Sequence, residues 1–152
     1  MRQPTRVAPT PLFDRLVSVE SLTNPSTQLS ALDMDGLKSS IARELERLLV
    51  SRSRRTRADM PKSRTTVDYG VADHFMFDPR SEDDRKQLGE ELEDTIMAYE
   101  PRLEKVRVRV EDPTEVETRL RIRIDSVLCA GGAKEPLGFN VVRRGEFLEV
   151  KL

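Results

Sequence analysis

The stretch "AYEPRLEKVRVRV", Ala98 to Val110, decides the fold. A helical pattern runs into it: Leu88, Leu92, Ile96 and Tyr99 recur at three- and four-residue spacing. A strand pattern runs out of it, with Val106, Val108 and Val110 alternating with charges. Pro101 fixes its own φ and disfavours helical geometry at the residue before it, so the helix must stop near Tyr99. Glu100 then lies at the negative end of the helix dipole, where an exposed carboxylate is disfavoured by roughly 0.3–1 kcal/mol. A cation must offset it: Arg102, the basic strands that follow, or a group on a partner.

Outward from this joint the chain divides cleanly. The helix that ends at Tyr99 begins at Ser81, where "SEDD" reads as a capping box with Asp84 three residues on. An earlier helix runs from about Asp35 to Ser51. Leu37, Ile41, Leu45, Leu48 and Leu49 form its apolar face, and Asp33 or Asp35 caps it. Between the helices lie a basic loop, "SRSRRTRADMPKSR", and an irregular segment, "VDYGVADHFMF", expected to fold against the core. After the joint come strands only. "EVETRLRIRID" alternates, and "FNVV" and "FLEVKL" flank Arg143–Glu146 as a hairpin. "CAGGAKEPLG" reads as a flexible connection. Helices first and antiparallel strands after make an α+β fold, two main helices packed on a small antiparallel sheet. Residues 1–30 hold four of the nine prolines and read as an extended N-terminal arm. Leu12, Phe13 and Leu16 form a short helical anchor there, packing on the domain's own core or on a partner. Residues 31–152 form a single domain.

Composition narrows the function. Charged residues are 35% of the 152, yet 26 basic and 27 acidic residues leave a net charge of −1. Balanced totals give no global pull toward nucleic acid or anionic lipid. One cysteine, Cys129, excludes an internal disulfide. The N-terminus has no apolar run after its arginines, and no stretch nears the roughly 20 apolar residues of a membrane span. A cytoplasmic location is expected.

Chemistry-bearing constellations are sparse. His74 is the single histidine, so no triad or histidine-based zinc site can be assembled, and no metal or cofactor is expected. Cys129 has no other histidine to activate it and reads as a bland thiol. Glu100 is the best candidate acid for a peptidoglycan glycosidase. A neighbouring Arg102 favours the charged carboxylate, the wrong direction for a general acid. The Arg52–Arg64 loop could hold phosphates, but no aromatics interleave to stack on bases, so nucleic acid is disfavoured.

The first hairpin carries more. If Glu111 and Glu115 close a turn over Asp112-Pro113-Thr114, Val110 faces Val116, Val108 faces Thr118 and Val106 faces Leu120. The other face then pairs Arg109 with Glu117, Arg107 with Arg119, and Lys105 with Arg121. That register implies a basic patch of Lys105, Arg107, Arg119, Arg121 and Arg123, a solvated face or a seat for an acidic partner surface.

Four blocks, "LFDRL", "SIARELERLLVSR", "VDYGVAD" and "YEPRLEKVRVRV", resemble in order those of the type VI secretion baseplate subunit family TssE. That family is related to a phage baseplate wedge protein once labelled lysozyme-like. The resemblance spans nearly the whole chain, from about Leu12 to the last strand, and "YEPRL" is its most specific block. It implies a small non-enzymatic α+β domain in a contractile injection machine, docked at the inner face of the cell envelope. The expected partners are the helical core bundle of the other wedge subunits and the contractile sheath. By the resemblance Glu100, Pro101 and Arg102, with Tyr99 beside them, contact the core bundle. The link to the sheath suggests strand addition, with Phe147–Leu152 as candidate edge. On this reading Glu100→Ala and Arg102→Ala each leave the domain folded and weaken wedge assembly.

Overall fold

The computed structural model describes Ala8, Pro9 and residues 31–53, 55, 59, 64–72, 78–112, 120–130, 132–144 and 147–152. The expected anchor at Leu12, Phe13 and Leu16, and His74, lie outside these residues. A two-residue strand β1 (Ala8–Pro9) pairs antiparallel with β2 (Ala31–Leu32). Helix α1 (Met34–Val50), a 3-10 turn (Thr66–Asp68) and helix α2 (Glu82–Tyr99) follow. The strands β3 (Leu103–Val110), β4 (Arg121–Ala130), β5 (Ala133–Arg144) and β6 (Phe147–Lys151) come last. They form one antiparallel sheet in the order β3-β4-β5-β6. The α+β expectation holds.

Both helices start where the caps predict. Asp33 accepts the Gly36 N–H at 2.8 Å, and Ser81 accepts the Asp84 N–H at 3.2 Å. The capping box at Ser81 is only half made: the Asp84 carboxylate turns away and accepts the Asp78 N–H at 2.8 Å. Helix α1 has no glycine or proline stop. It ends because the Ser51 hydroxyl and N–H both return to the Arg47 carbonyl, at 2.8 and 3.1 Å, while Ser51 turns extended.

The apolar faces of α1 and α2 meet the inner face of the sheet. Leu37, Ile41, Leu45, Leu48 and Leu49 of α1 and Leu88, Leu92 and Ile96 of α2 are buried. So are Val106 and Val108 of β3, Ile122, Ile124 and Leu128 of β4, and Leu137, Phe139 and Val141 of β5. Period-3.6 stripes and period-2 strands thus build one core.

Two expectations about the strands are corrected. Val110 pairs with Ile122 and Val108 with Ile124, not with Val116 and Thr118. The pairing is displaced by six residues from the tight-turn register, which keeps the inward phase and sets the two buried isoleucines opposite Val110 and Val108. It also sets Arg107 opposite Asp125 rather than Arg119, an opposite-charge pair in place of a like one. The "CAGGAKEPLG" segment is not a flexible connection. Cys129 pairs with Lys134 and Ala130 with Ala133, so two long strands meet across residues 131 and 132. Gly132 supplies the left-handed backbone this tight link needs, at φ +81°.

Of the segment after the basic loop, residues 68–72 fold against the core as expected, while residues 73–77 lie outside the described residues, and its "DYG" is structural. Buried Asp68 accepts the Thr65 N–H and hydroxyl at 3.0 and 2.9 Å and an ion pair from Arg55 at 2.5 Å. Tyr69 meets Tyr99 edge to face, ring centroids 5.1 Å apart. Gly70 lies at φ +107° against the end of α1, where Val71 bridges Ser51 and Ser53 through two 2.9 Å backbone bonds. A Cβ at Gly70 would fall 2.6 Å from the Ser51 carbonyl oxygen. Next along, the Ala72 N–H donates to buried Glu91 of α2 at 2.8 Å.

Gly70 and Gly132 make a controlled pair, since a Cβ at Gly132 would meet nothing within 4 Å. Gly132→Ala should cost about 1–2 kcal/mol for the left-handed backbone alone. Gly70→Ala should cost more, about 2–4 kcal/mol, because backbone must also shift. Urea unfolding of both variants checks the order.

Candidate functional site

The joint between α2 and β3 is a tied corner. Glu100 is the C-terminal cap of α2, its N–H donating to Ile96 O at 2.8 Å. The Leu103 N–H closes the turn on Glu100 O at 3.1 Å, and the Cys129 N–H of β4 donates to Arg102 O at 2.8 Å. These bonds set the direction in which β3 leaves the helix.

Glu100 is only 3% exposed, which the sequence did not foretell. Both of its carboxylate oxygens accept from the Arg102 guanidinium at 2.6 Å, a two-pronged charge-assisted pair. Arg102 is thus the cation that offsets the helix dipole. A carboxylate so engaged is badly placed to hand a proton to a glycosidic oxygen. Pro101, between the pair, is exposed, and Arg102 is half-buried. Tyr99 is half-buried and turned inward, its hydroxyl donating to Thr65 O at 2.7 Å. Burial, with Asp68 next, pushes its phenol up from the ordinary range.

The basic residues divide into two places. Lys105 lies beside the corner, with Glu104 and Lys134. Arg107, Arg109, Arg121 and Arg123 lie toward the other end of β3 and β4; Arg102 and Arg109 are seven residues apart, roughly 20 Å along an extended strand. Arg119 lies outside the described residues. Arg107 reaches Glu93 of α2 at 3.3 Å. Arg109 and Arg123 share Asp125 at 2.7 and 3.0 Å, and Arg123 also donates to Asn140 at 3.1 Å. The expected patch is therefore threaded by acids and is not a bare basic stripe. Asp125 was legible, since it continues the outward phase of Arg121 and Arg123.

Described arginines of the Arg52–Arg64 loop are engaged by groups of the same chain. Arg55 pairs with Asp68, and Arg64 donates to the Thr95 hydroxyl at 2.5 Å. Arg54, Arg57 and Lys62 lie outside the described residues. Cys129 is half-buried, and burial pushes its thiol up, away from nucleophilic use. No described helix is long and apolar enough to cross a membrane.

A family model described as "Baseplate wedge protein gp25" matches residues 35–132, a span holding both helices, the corner, β3 and β4. No curated protein matches the chain.

Burial of Glu100 adds a stability cost to the expectation that Glu100→Ala and Arg102→Ala leave the domain folded. Arg102→Ala strands a buried carboxylate and should cost about 2–3 kcal/mol, below the usual cost of breaking a buried pair because the Arg102 side chain is 21% exposed. The double variant Glu100→Gln/Arg102→Met should be more stable than Arg102→Ala alone, measured by urea unfolding. A second outcome follows from Asp125, whose carboxyl Arg109 and then Arg123 hold below the usual range. A lowered folded pKa stabilises above the unfolded value, near 3.8, and that contribution fades as pH falls through the folded value. Asp125→Asn should therefore flatten the stability profile below about pH 4.

Proposed function

From the premise that the chain belongs to the baseplate wedge protein gp25 family, which includes the TssE subunit of type VI secretion, we propose that it is a non-enzymatic structural subunit of a type VI secretion baseplate. It joins the wedge core to the contractile sheath. The family match supports a structural baseplate role in general. The carrying observation is the corner: a buried Glu100–Arg102 pair holds Pro101 outward at a fixed angle between helix and strand. A rigid turn that exposes Pro101 loses little entropy on docking and suits a helical bundle of other wedge subunits.

The sheet supports the second contact. Its two edges differ. The outer edge of β3 is closed by α2: Glu93 accepts the Val108 N–H at 2.8 Å, and Gly89 lets the helix approach the Val108 carbonyl. The edge strand β6 pairs with β5 on one side, and among the described residues no strand pairs with the other. An unpaired strand edge is the template that strand addition uses. Phe147–Lys151 is therefore the edge we assign to the sheath.

Proline substitution tests the assignment. Successive N–H groups on a strand point to opposite sides, so of Glu149→Pro and Val150→Pro one removes a bond to β5 and the other an outward donor. The first should destabilise the domain by about 3 kcal/mol or more. The second should fold normally, keep its wedge partners and lose sheath subunits in co-purification. Retention of sheath by the folded variant contradicts the assignment.

A further inference from the structure

The apolar pattern of β3 demands an irregularity. Leu103 and Val106 are both buried, yet they are three apart, and strict alternation cannot place both on one face. The strand answers with a bulge. Leu103 and Glu104 pair with Leu128 and Val127, and pairing resumes at Arg107 opposite Asp125. Lys105 and Val106 thus stand against Ser126 alone. The extra residue is left-handed: Lys105 has φ +52°, the sole positive φ outside glycine among the described residues. Bulges of this hand ordinarily take glycine, which has no Cβ to crowd the backbone. The fold requires an extra residue at position 105. It does not require a lysine.

The surroundings leave the charge of that lysine over. Glu100 takes Arg102, and Glu104 takes Lys134 at 2.7 Å. The Lys105 side chain makes no ion pair or hydrogen bond among the described residues. It acts on Glu104 and Cys129 only through space. It is exposed, three residues past Arg102, on a strand that the Cys129–Arg102 backbone bond holds to β4. Here Arg102, Lys105 and Lys134 outnumber Glu100 and Glu104 by one positive charge.

We propose that Lys105 is a contact residue of the docking corner, presented by the bulge to a carboxylate on an acidic patch of a wedge protein. The inference rests on the reading of the corner given above and extends it, by naming the partner's chemistry and a residue whose backbone conformation is unfavourable for its side chain. A left-handed lysine at an exposed bulge is a local cost that a glycine would not carry.

The full chain and its Lys105→Gly, Lys105→Arg and Lys105→Glu variants are compared in two measurements. One is thermal melting; the other is affinity for co-expressed baseplate wedge subunits across a salt series. Lys105→Gly should melt no lower than the parent, because glycine relieves the left-handed backbone. It should bind about three- to fivefold more weakly, with a shallower salt dependence. Lys105→Arg should keep parental affinity, and Lys105→Glu should bind more weakly than Lys105→Gly. Equal affinity of the parent and Lys105→Gly overturns this proposal and leaves the corner's role intact. A parent chain that does not bind wedge subunits overturns both. A lower melting temperature for Lys105→Gly overturns the claim that lysine is there at the backbone's expense.

Discussion

The structure turns on one ion pair, Arg102 against the buried carboxylate of Glu100. A carboxylate at the C-terminus of a helix faces the helix's own carbonyls and should be repelled. Burial would worsen that, because water no longer shields the charge. The fold resolves the conflict within three residues. Pro101 turns the chain so that the guanidinium two positions on folds back over both oxygens. The pair neutralises the helix end, fixes the exit angle of β3 and leaves Pro101 outside. A structural necessity and an exposed feature are thus produced by the same residues.

That exit angle propagates. β3 leaves the corner beside α2, close enough for Glu93 to occupy the Val108 N–H and for Gly89 to meet its carbonyl. One sheet edge is closed by the helix that feeds it. Order along the sheet then leaves β6, the last strand, at the opposite edge. The second tyrosine contact adds stiffness behind the corner: Tyr69 packs on Tyr99, and the Tyr99 hydroxyl holds Thr65. The "DYG" block and the "YEPRL" block, about 30 residues apart in sequence, are therefore one packed unit.

Much of this was legible in the residues, and the rest was hidden for identifiable reasons. The two helices, their caps and their apolar faces followed from spacing, because Leu37 through Leu49 and Leu88 through Ile96 leave no competing period. The β5–β6 hairpin around residues 145 and 146 followed from its flanking apolar runs. The β3–β4 register did not, since proline and acids at Asp112–Thr114 mimic a tight turn while the isoleucines further on decide the pairing. The glycines after Ala130 looked loose, yet Ala130 pairs with Ala133 and Gly132 serves a tight link. The burial of Glu91 and Asp68 has no sequence signal; each satisfies a backbone N–H of the segment between the helices, Ala72 and Thr65 respectively. Glu100 stands out in the sequence, but a sequence cannot tell a carboxylate offered to a partner from one consumed by its neighbour Arg102.

The central claim is that the corner and the β6 edge are the two faces this domain gives to its assembly. Backbone hydrogen exchange on the full chain, alone and with wedge and sheath subunits, tests it most directly. The account predicts slowed exchange over residues 98–107 when wedge subunits are added, and over residues 147–152 when sheath subunits are added. Unchanged exchange in both segments upon formation of the complex, with protection appearing elsewhere, would contradict it.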